Sequence, residues 1–364
     1  MYHINILTTG FASPNGIAFL FPFIVFEREL REVGVRIRFF KKAGKPQLTD
    51  CDVLFVESRF FSHRWEREGD ERVLTEISNL AAKVPLVWFD ISDSTGWLQP
   101  QVLPFVRYYC KSQLYKDLTL YMRPQYGNRL WTDYYFHSGA VKDLSPAKPR
   151  IVTEQGALQK LRISWNSGIA DYRLFGPQLM ALRQFLPLNF LFQIPKQFTP
   201  PRKKRGLPKS CRMGLNYERD SVAYQRQEIQ NILYSSMDTG KLSRRAYFAE
   251  MRNTRLVISP FGFGEITLKD FEATLCGAAL LKPDMSHMVT WPNLFRKDET
   301  MISHAWDLSD FEEKCSEAIE CPDKLVELAT VAQHEYRKAL GRDQSKTEFC
   351  SRVLSIINDT IPSN

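Results

Sequence analysis

Residues 255–287 constrain the fold of this chain more than any other stretch. They read as a buried strand from Arg255 to Pro260, a turn holding Gly262 and Gly264, an amphipathic helix, and a second apolar strand ending near Lys282. The polar residues gather where strand gives way to helix, which is where an open α/β sheet binds ligands. Gly262 and Gly264 clear side chains from the turn, so a ligand can approach the backbone and the N–H groups at the helix start can face a phosphate. Phe263 lies between them. If Glu265 and Glu272 are both helical, their spacing is close to two turns and puts them on one face. A carboxylate beside a pyrophosphate would be repelled, so Glu272, deeper in the helix, suits paired hydroxyls such as a ribose diol. Asp284 and His287 follow the second strand and fall at the same edge of a parallel sheet. A lone Gly-x-Gly also recurs in ordinary strand-to-helix turns, and Thr267 stands where a dinucleotide fingerprint needs its third Gly.

The first half predicts a separate α/β unit. His3 to Gly10 forms a strand and turn, Ile17 to Val33 a buried helix, and Val35–Phe40, Asp52–Glu57 and Val84–Asp90 further strands. Strands alternating with helices mean a parallel sheet with crossovers. Ser145 to Arg150 is linker-like, and the strand Leu161–Trp165 is expected to open a second unit. The division is then 1–150, 151–345 and a terminal helix within 346–364. Asn166, Ser167 and Gly168 follow that strand as a second polar turn. Ser309 to Glu312 reads as a capping box.

Gly262-Phe-Gly-Glu265 followed by Phe271-Glu-Ala-Thr-Leu-Cys-Gly-Ala-Ala-Leu-Leu281 resembles the C-terminal nucleotide-sugar motif of GT-B glycosyltransferases. The resemblance implies two Rossmann-like domains with parallel sheets facing a central cleft, an N-terminal acceptor domain and a C-terminal donor domain. In retaining members, the class the resemblance implies for this chain, the first Glu of the motif lies near the donor sugar and the second holds the ribose. Carried over, Glu265 matches the first and Glu272 the second, although six residues separate them here where the family has seven. The first turn of the C-terminal domain also lines the cleft in the family, which implies Asn166, Ser167 and Gly168 near the donor. Its last helix often crosses back to the N-terminal domain. Lys269 to Glu272 and Lys282-Pro-Asp-Met-Ser-His287 are similar to a bacterial subgroup that builds surface polysaccharide, O-antigen or capsule. Lys282, Asp284 and His287 then join the donor site. Glu265 and Asp270 are the carboxylates expected near the anomeric carbon. The donor is a UDP-, GDP- or CMP-linked sugar, so the transferase is of hexosyl or Kdo type, and the acceptor a glycan or lipid-linked glycan, as in lipopolysaccharide.

Composition fits this picture. The chain has 364 residues, 44% hydrophobic and 13% aromatic, enough for two domains with their own cores. No run approaches the roughly 20 apolar residues that span a bilayer, and the N-terminus reads as a strand. Seven scattered Cys without a Cys-x-x-Cys pair argue against a disulfide framework and a zinc site, and point to a reducing cytoplasm. A net charge of +8 implies an anionic partner. The basic run Pro200 to Gly206 reads first as a solvated loop and second as a contact with a membrane surface or an anionic acceptor, with peripheral contact at an anionic membrane as the partner expected. It lacks the interleaved aromatics that nucleic acid would require.

Asp50-Cys-Asp52 spells the Asp-x-Asp of metal-dependent GT-A enzymes, but precedes its strand and falls at the wrong edge, so no metal is expected. Asp90 and Asp93 follow theirs, where either could meet an acceptor hydroxyl or act as base. Arg107 and Lys111, in an aromatic and basic segment, are candidate acceptor contacts. A nucleotide-sugar epimerase of the same fold and a basic non-catalytic binding protein are the alternatives.

Overall fold

The computed structural model describes residues 1–234 and 236–361. In chain order the strands of the first half are β1 (Tyr2–Leu7), β2 (Val35–Phe40), β3 (Val53–Glu57), β4 (Leu86–Asp90), β5 (Tyr108–Lys111), β6 (Gln113–Tyr115) and β7 (Leu161–Ile163). Those of the second are β8 (Leu207–Ser210), β9 (Thr254–Ile258), β10 (Ala279–Pro283), β11 (Met288–Thr290) and β12 (Ile302–His304). Six form a parallel sheet in the order β2-β1-β3-β4-β5-β7, and four form a second parallel sheet in the order β12-β10-β9-β8. The fold is therefore α/β, with two parallel sheets facing a central cleft. Every residue of β3, β4 and β10 is buried, as expected of strands covered by helices on both faces.

The first sheet reverses its strand order between β1 and β3, and such a switch point opens a crevice at the carboxyl ends. Helix Pro14–Val25 starts there. Its Phe19 and Phe23 pack on Phe55, Phe89 and Trp165 in the largest core cluster. The strand expected to open the second unit behaves otherwise. Leu161–Ile163 pairs with β5 and forms the edge of the first sheet. A three-residue apolar strand carries no mark of the sheet it will join, and here the residues before it stay on the first half, with Val152 N–H donating to Tyr121 O and Arg150 N–H to Asn128 Oδ1. The second sheet begins only at β8.

Helix Arg342–Thr360 lies on the first half, where Phe349 meets Phe23, Phe26 and Trp165 and Asn358 accepts from Tyr2 Oη. Residues 362–364 of the expected terminal segment lie outside the described residues. The capping box expected at Ser309 to Glu312 does not form. That helix starts at Phe311 behind Asp310, and Ser309 instead hydrogen-bonds Asp307. Among the described residues no helix is long and apolar enough to cross a membrane.

Candidate active site

A cleft of about 280 Å³ lies between the carboxyl ends of the two sheets. The first half contributes Asn15 from the helix after β1, Asp90 from the end of β4 and Asp93 from the turn after it, Gln113, and Asn166 and Ser167 after β7. From the second half come Tyr217, Arg226, the turn Gly262–Gly264, and Thr267 and Leu268 at the next helix start.

Asp93 is the exposed carboxylate on this wall. Asn15 Nδ2 donates to its Oδ1 at 2.8 Å and to Ile91 O at 2.7 Å, which fixes its direction. Asp90, just beneath, is fully engaged. It pairs with Lys111 Nζ at 3.1 Å and accepts from Tyr109 Oη at 2.7 Å and Ser92 Oγ at 2.5 Å. Burial opposes its charge, but Lys111 and these donors outweigh that and hold the carboxyl below its ordinary range. Lys111 is wholly buried in this pair and supports Asp90 without lining the cleft. Arg107 is exposed and precedes β5, at the sheet edge away from the cleft, so the structure removes it as an acceptor contact. Asp50 and Asp52 are at that far edge too, bonded to Arg38 and to His3 N–H.

The glycine turn does something different from clearing space for a ligand. A Cβ on Gly264 would lie 1.8 Å from Asp93 O, so the missing side chain lets the turn press directly on the backbone of the first half. Gly262 has Arg226 Nη2 and Tyr217 Oη on its open side and faces the cleft. Phe263, exposed at the rim, stands edge-on to Tyr217. Its carbonyl accepts from Arg129 Nε at 2.8 Å, a bond from the first half. Arg226 Nε binds Phe261 O and Nη1 binds Gly214 O, so its guanidinium is braced where it borders the cleft.

Glu265 and Glu272 do not share a helix face. Thr267 and Asp270 form a reciprocal capping box that starts the helix at Leu268, leaving Glu265 outside it. Glu265 is fully buried, away from the cleft lining. Its Oε2 accepts from Thr95 N–H at 2.9 Å, and its Oε1 lies 3.7 Å from His287 Nε2, an ion-pair distance too long for a hydrogen bond. Burial raises the cost of its charge, yet His287 and the Thr95 N–H hold its carboxyl below the usual range. His287 is part of an inter-half contact through its carbonyl, which accepts from Lys116 N–H at 2.9 Å, while Asp284 closes a local turn on Ser286 N–H; neither borders the cleft. Glu272 accepts from Tyr247 Oη at 2.9 Å, and burial pushes its carboxyl up.

Asp270 is structural in its contacts. It accepts from Ser259 Oγ at 2.6 Å and Thr267 N–H at 2.8 Å, and it pairs with the wholly buried Lys282 Nζ at 3.1 Å. A carboxylate so occupied, below the cleft lining, is not placed against a sugar. Asn166 lines the cleft but spends its amide on Thr290 Oγ1, Pro292 O and Gly168 N–H. Gly168 packs against the Phe271 ring, whose Cε1 would lie 2.5 Å from a Cβ at this position.

The neighbouring Lys269 Nζ is buried without a hydrogen-bond partner. Burial pushes its pKa down to about 8, with Arg226 and Lys282 adding repulsion. The folded chain then sheds this proton near pH 8, and the unfolded chain holds it to about 10.5. Stability should rise with pH across that window, because the unfolded chain binds the extra proton. Lys269→Met is expected to flatten that rise and to raise the urea midpoint at pH 7, since an uncompensated buried cation is removed. A variant whose midpoint tracks the wild type at every pH would contradict the assignment.

Asn15, Gln113, Tyr217 and Arg226 border the cleft without having been marked in the sequence. Arg226 is mid-helix in Asp220–Leu233, and only its long-range partners reveal it. Asn15 had a local signal, since it opens a helix directly after the turn that ends β1.

No family model matches the chain, and no curated protein matches it in sequence. Solved structures similar in shape include HepE of Anabaena in complex with UDP-glucose, with 12% identity, 98% of this chain and 100% of that chain covered, and a TM-score of 0.45. A glycosyltransferase of Rickettsia africae shares 8% identity over 100% of this chain and 99% of its own, with a TM-score of 0.45. Sucrose-phosphate synthase of Thermosynechococcus elongatus shares 8% identity over 98% and 100%, also with a TM-score of 0.45.

Proposed function

We propose that this chain is a GT-B glycosyltransferase that moves a sugar from a nucleotide-linked donor to a glycan or lipid-linked glycan in surface polysaccharide synthesis. The observation that carries the reading is the cleft itself. One wall offers an oriented carboxylate, Asp93, and the other a braced guanidinium, Arg226, beside a helix start and an exposed aromatic rim. That arrangement suits a donor whose diphosphate lies by Arg226 and the helix N-terminus, where the departing charge is neutralised. Tyr217 and Phe263 supply faces for a base or sugar ring.

In this reading Asp93 accepts the proton of the acceptor hydroxyl as it attacks the anomeric carbon and the nucleoside mono- or diphosphate leaves. Glu265, through which the family resemblance implied retention, is turned to His287. A base-assisted single displacement inverts the anomeric carbon, which NMR of the product reads directly. Transfer is expected to persist in excess EDTA, with Arg226 and the helix N-terminus in place of a metal; loss with EDTA and rescue by Mn²⁺ would reverse this.

The primary test is thermal shift of the full chain with UDP-, GDP-, CMP- and TDP-sugars. One nucleotide class should raise the melting temperature at concentrations well above its Kd. No shift with any of them would sink the proposal. Arg226→Lys is expected to weaken binding of that nucleotide roughly tenfold in calorimetry, because a lysine cannot hold both carbonyls and a phosphate. Unchanged affinity would remove Arg226 from the donor site.

A further inference from the structure

Residues 172–217 contain no Asp or Glu and nine Lys or Arg. The same segment exposes large apolar side chains that a water-facing surface ordinarily avoids. Leu174 is 66% exposed, Phe185 76%, Leu186 58% and Phe190 60%, with Leu179 and Leu182 also open. Two consecutive helical turns, Gly176–Met180 and Ala181–Gln184, set their direction. Met180 is fully buried, while Leu179, Leu182 and Leu186, spaced by three and four residues, fall together on the outer side. The apolar stripe of this segment thus faces solvent, and contiguous exposed patches of this kind mark interaction surfaces.

The surroundings identify the partner. Lys41 and Lys45, both exposed, border the same depression as Arg183 and Gln184, and Lys196 is exposed beyond Phe192. Apolar side chains framed by lysines, in a segment lacking carboxylates, complement a surface that is anionic at its headgroups and apolar beneath them. A soluble acidic partner would match the charge and leave the leucines and phenylalanines unsatisfied. Position agrees with this. The segment packs on helix Pro14–Val25, whose first residues line the cleft, and Phe192 meets Phe11 just before that helix.

We propose that the face built by residues 174–190, with Lys41 and Lys45, docks on an anionic lipid surface. This goes beyond the transferase reading and does not depend on it, although it would hold the cleft beside a lipid-linked acceptor.

The test is flotation of the full chain with phosphatidylcholine vesicles, with and without phosphatidylglycerol. Binding is expected only with the anionic lipid and should weaken at high salt. Phe185→Ser with Leu186→Ser should lower the bound fraction roughly tenfold or more at unchanged melting temperature, because both side chains are solvent-facing. Lys41→Glu with Lys45→Glu should weaken binding and reduce its salt dependence. Absence of binding to the anionic vesicles overturns the proposal. So does a wild-type dimer in light scattering that the Phe185 and Leu186 substitutions disperse, since the face would then join two copies. Failure here with a clear nucleotide shift leaves the transferase reading standing, and the converse holds.

Discussion

Asp93→Asn is expected to lower turnover by roughly 10²-fold or more while donor affinity stays within a few-fold, because the amide keeps the shape and loses the proton acceptor. The expectation rests on the exposure of Asp93 in the cleft and its orientation by Asn15. Asn15→Ala should give a smaller loss, since it frees the carboxylate without removing it. Steady-state kinetics with the donor found by thermal shift would measure both. Near-normal turnover in Asp93→Asn would leave the first half without its proposed base.

Asp270→Ala is expected to destabilise the chain by about 3–5 kcal/mol, the cost of breaking a buried pair and leaving its cation uncompensated. Lys282 Nζ is fully buried, and its remaining contacts are Ser259 O and the face of Phe261. The helix also loses its cap. Urea denaturation should show the loss, and Asp270→Ala with Lys282→Met should recover most of it, because the orphaned charge is gone. A stable but inactive Asp270→Ala protein would place this carboxylate at the reacting sugar instead.

These two residues show what sequence could and could not reveal. Asp93 was marked because it follows a strand, and ligands gather at the carboxyl end of parallel strands wherever the sheet is open. Asp270 was marked for the wrong chemistry: Thr267-x-x-Asp270 is itself a capping pattern, and reading it as one would have started the helix at Leu268. That single boundary separates Glu265 from Glu272, whose shared face held only for a longer helix. The strands were legible because continuous apolar runs such as Val53–Val56 have no other use than burial on both faces. Leu161–Ile163 was legible as a strand but not as a member of the first sheet, since sheet membership is decided by contacts far along the chain. Arg226 carried no local mark at all, its meaning residing in carbonyls 12 and 35 positions away.

The antiparallel pair of β6 with β11 joins one strand from each half, Tyr115 opposite Met288 and Gln113 opposite Thr290. With Thr95 to Glu265 and Arg129 to Phe263, it stitches the walls of the cleft at their base. A hinge that swung the halves widely apart would have to break a ladder, an ion-assisted hydrogen bond and an arginine clasp together. Ligand exchange in such a molecule is therefore governed by rotation of the exposed Phe263 side chain at the rim, with the base acting as a fixed pivot. Amide hydrogen exchange would register this as slow exchange at β6, at β11 and at the Thr95 amide.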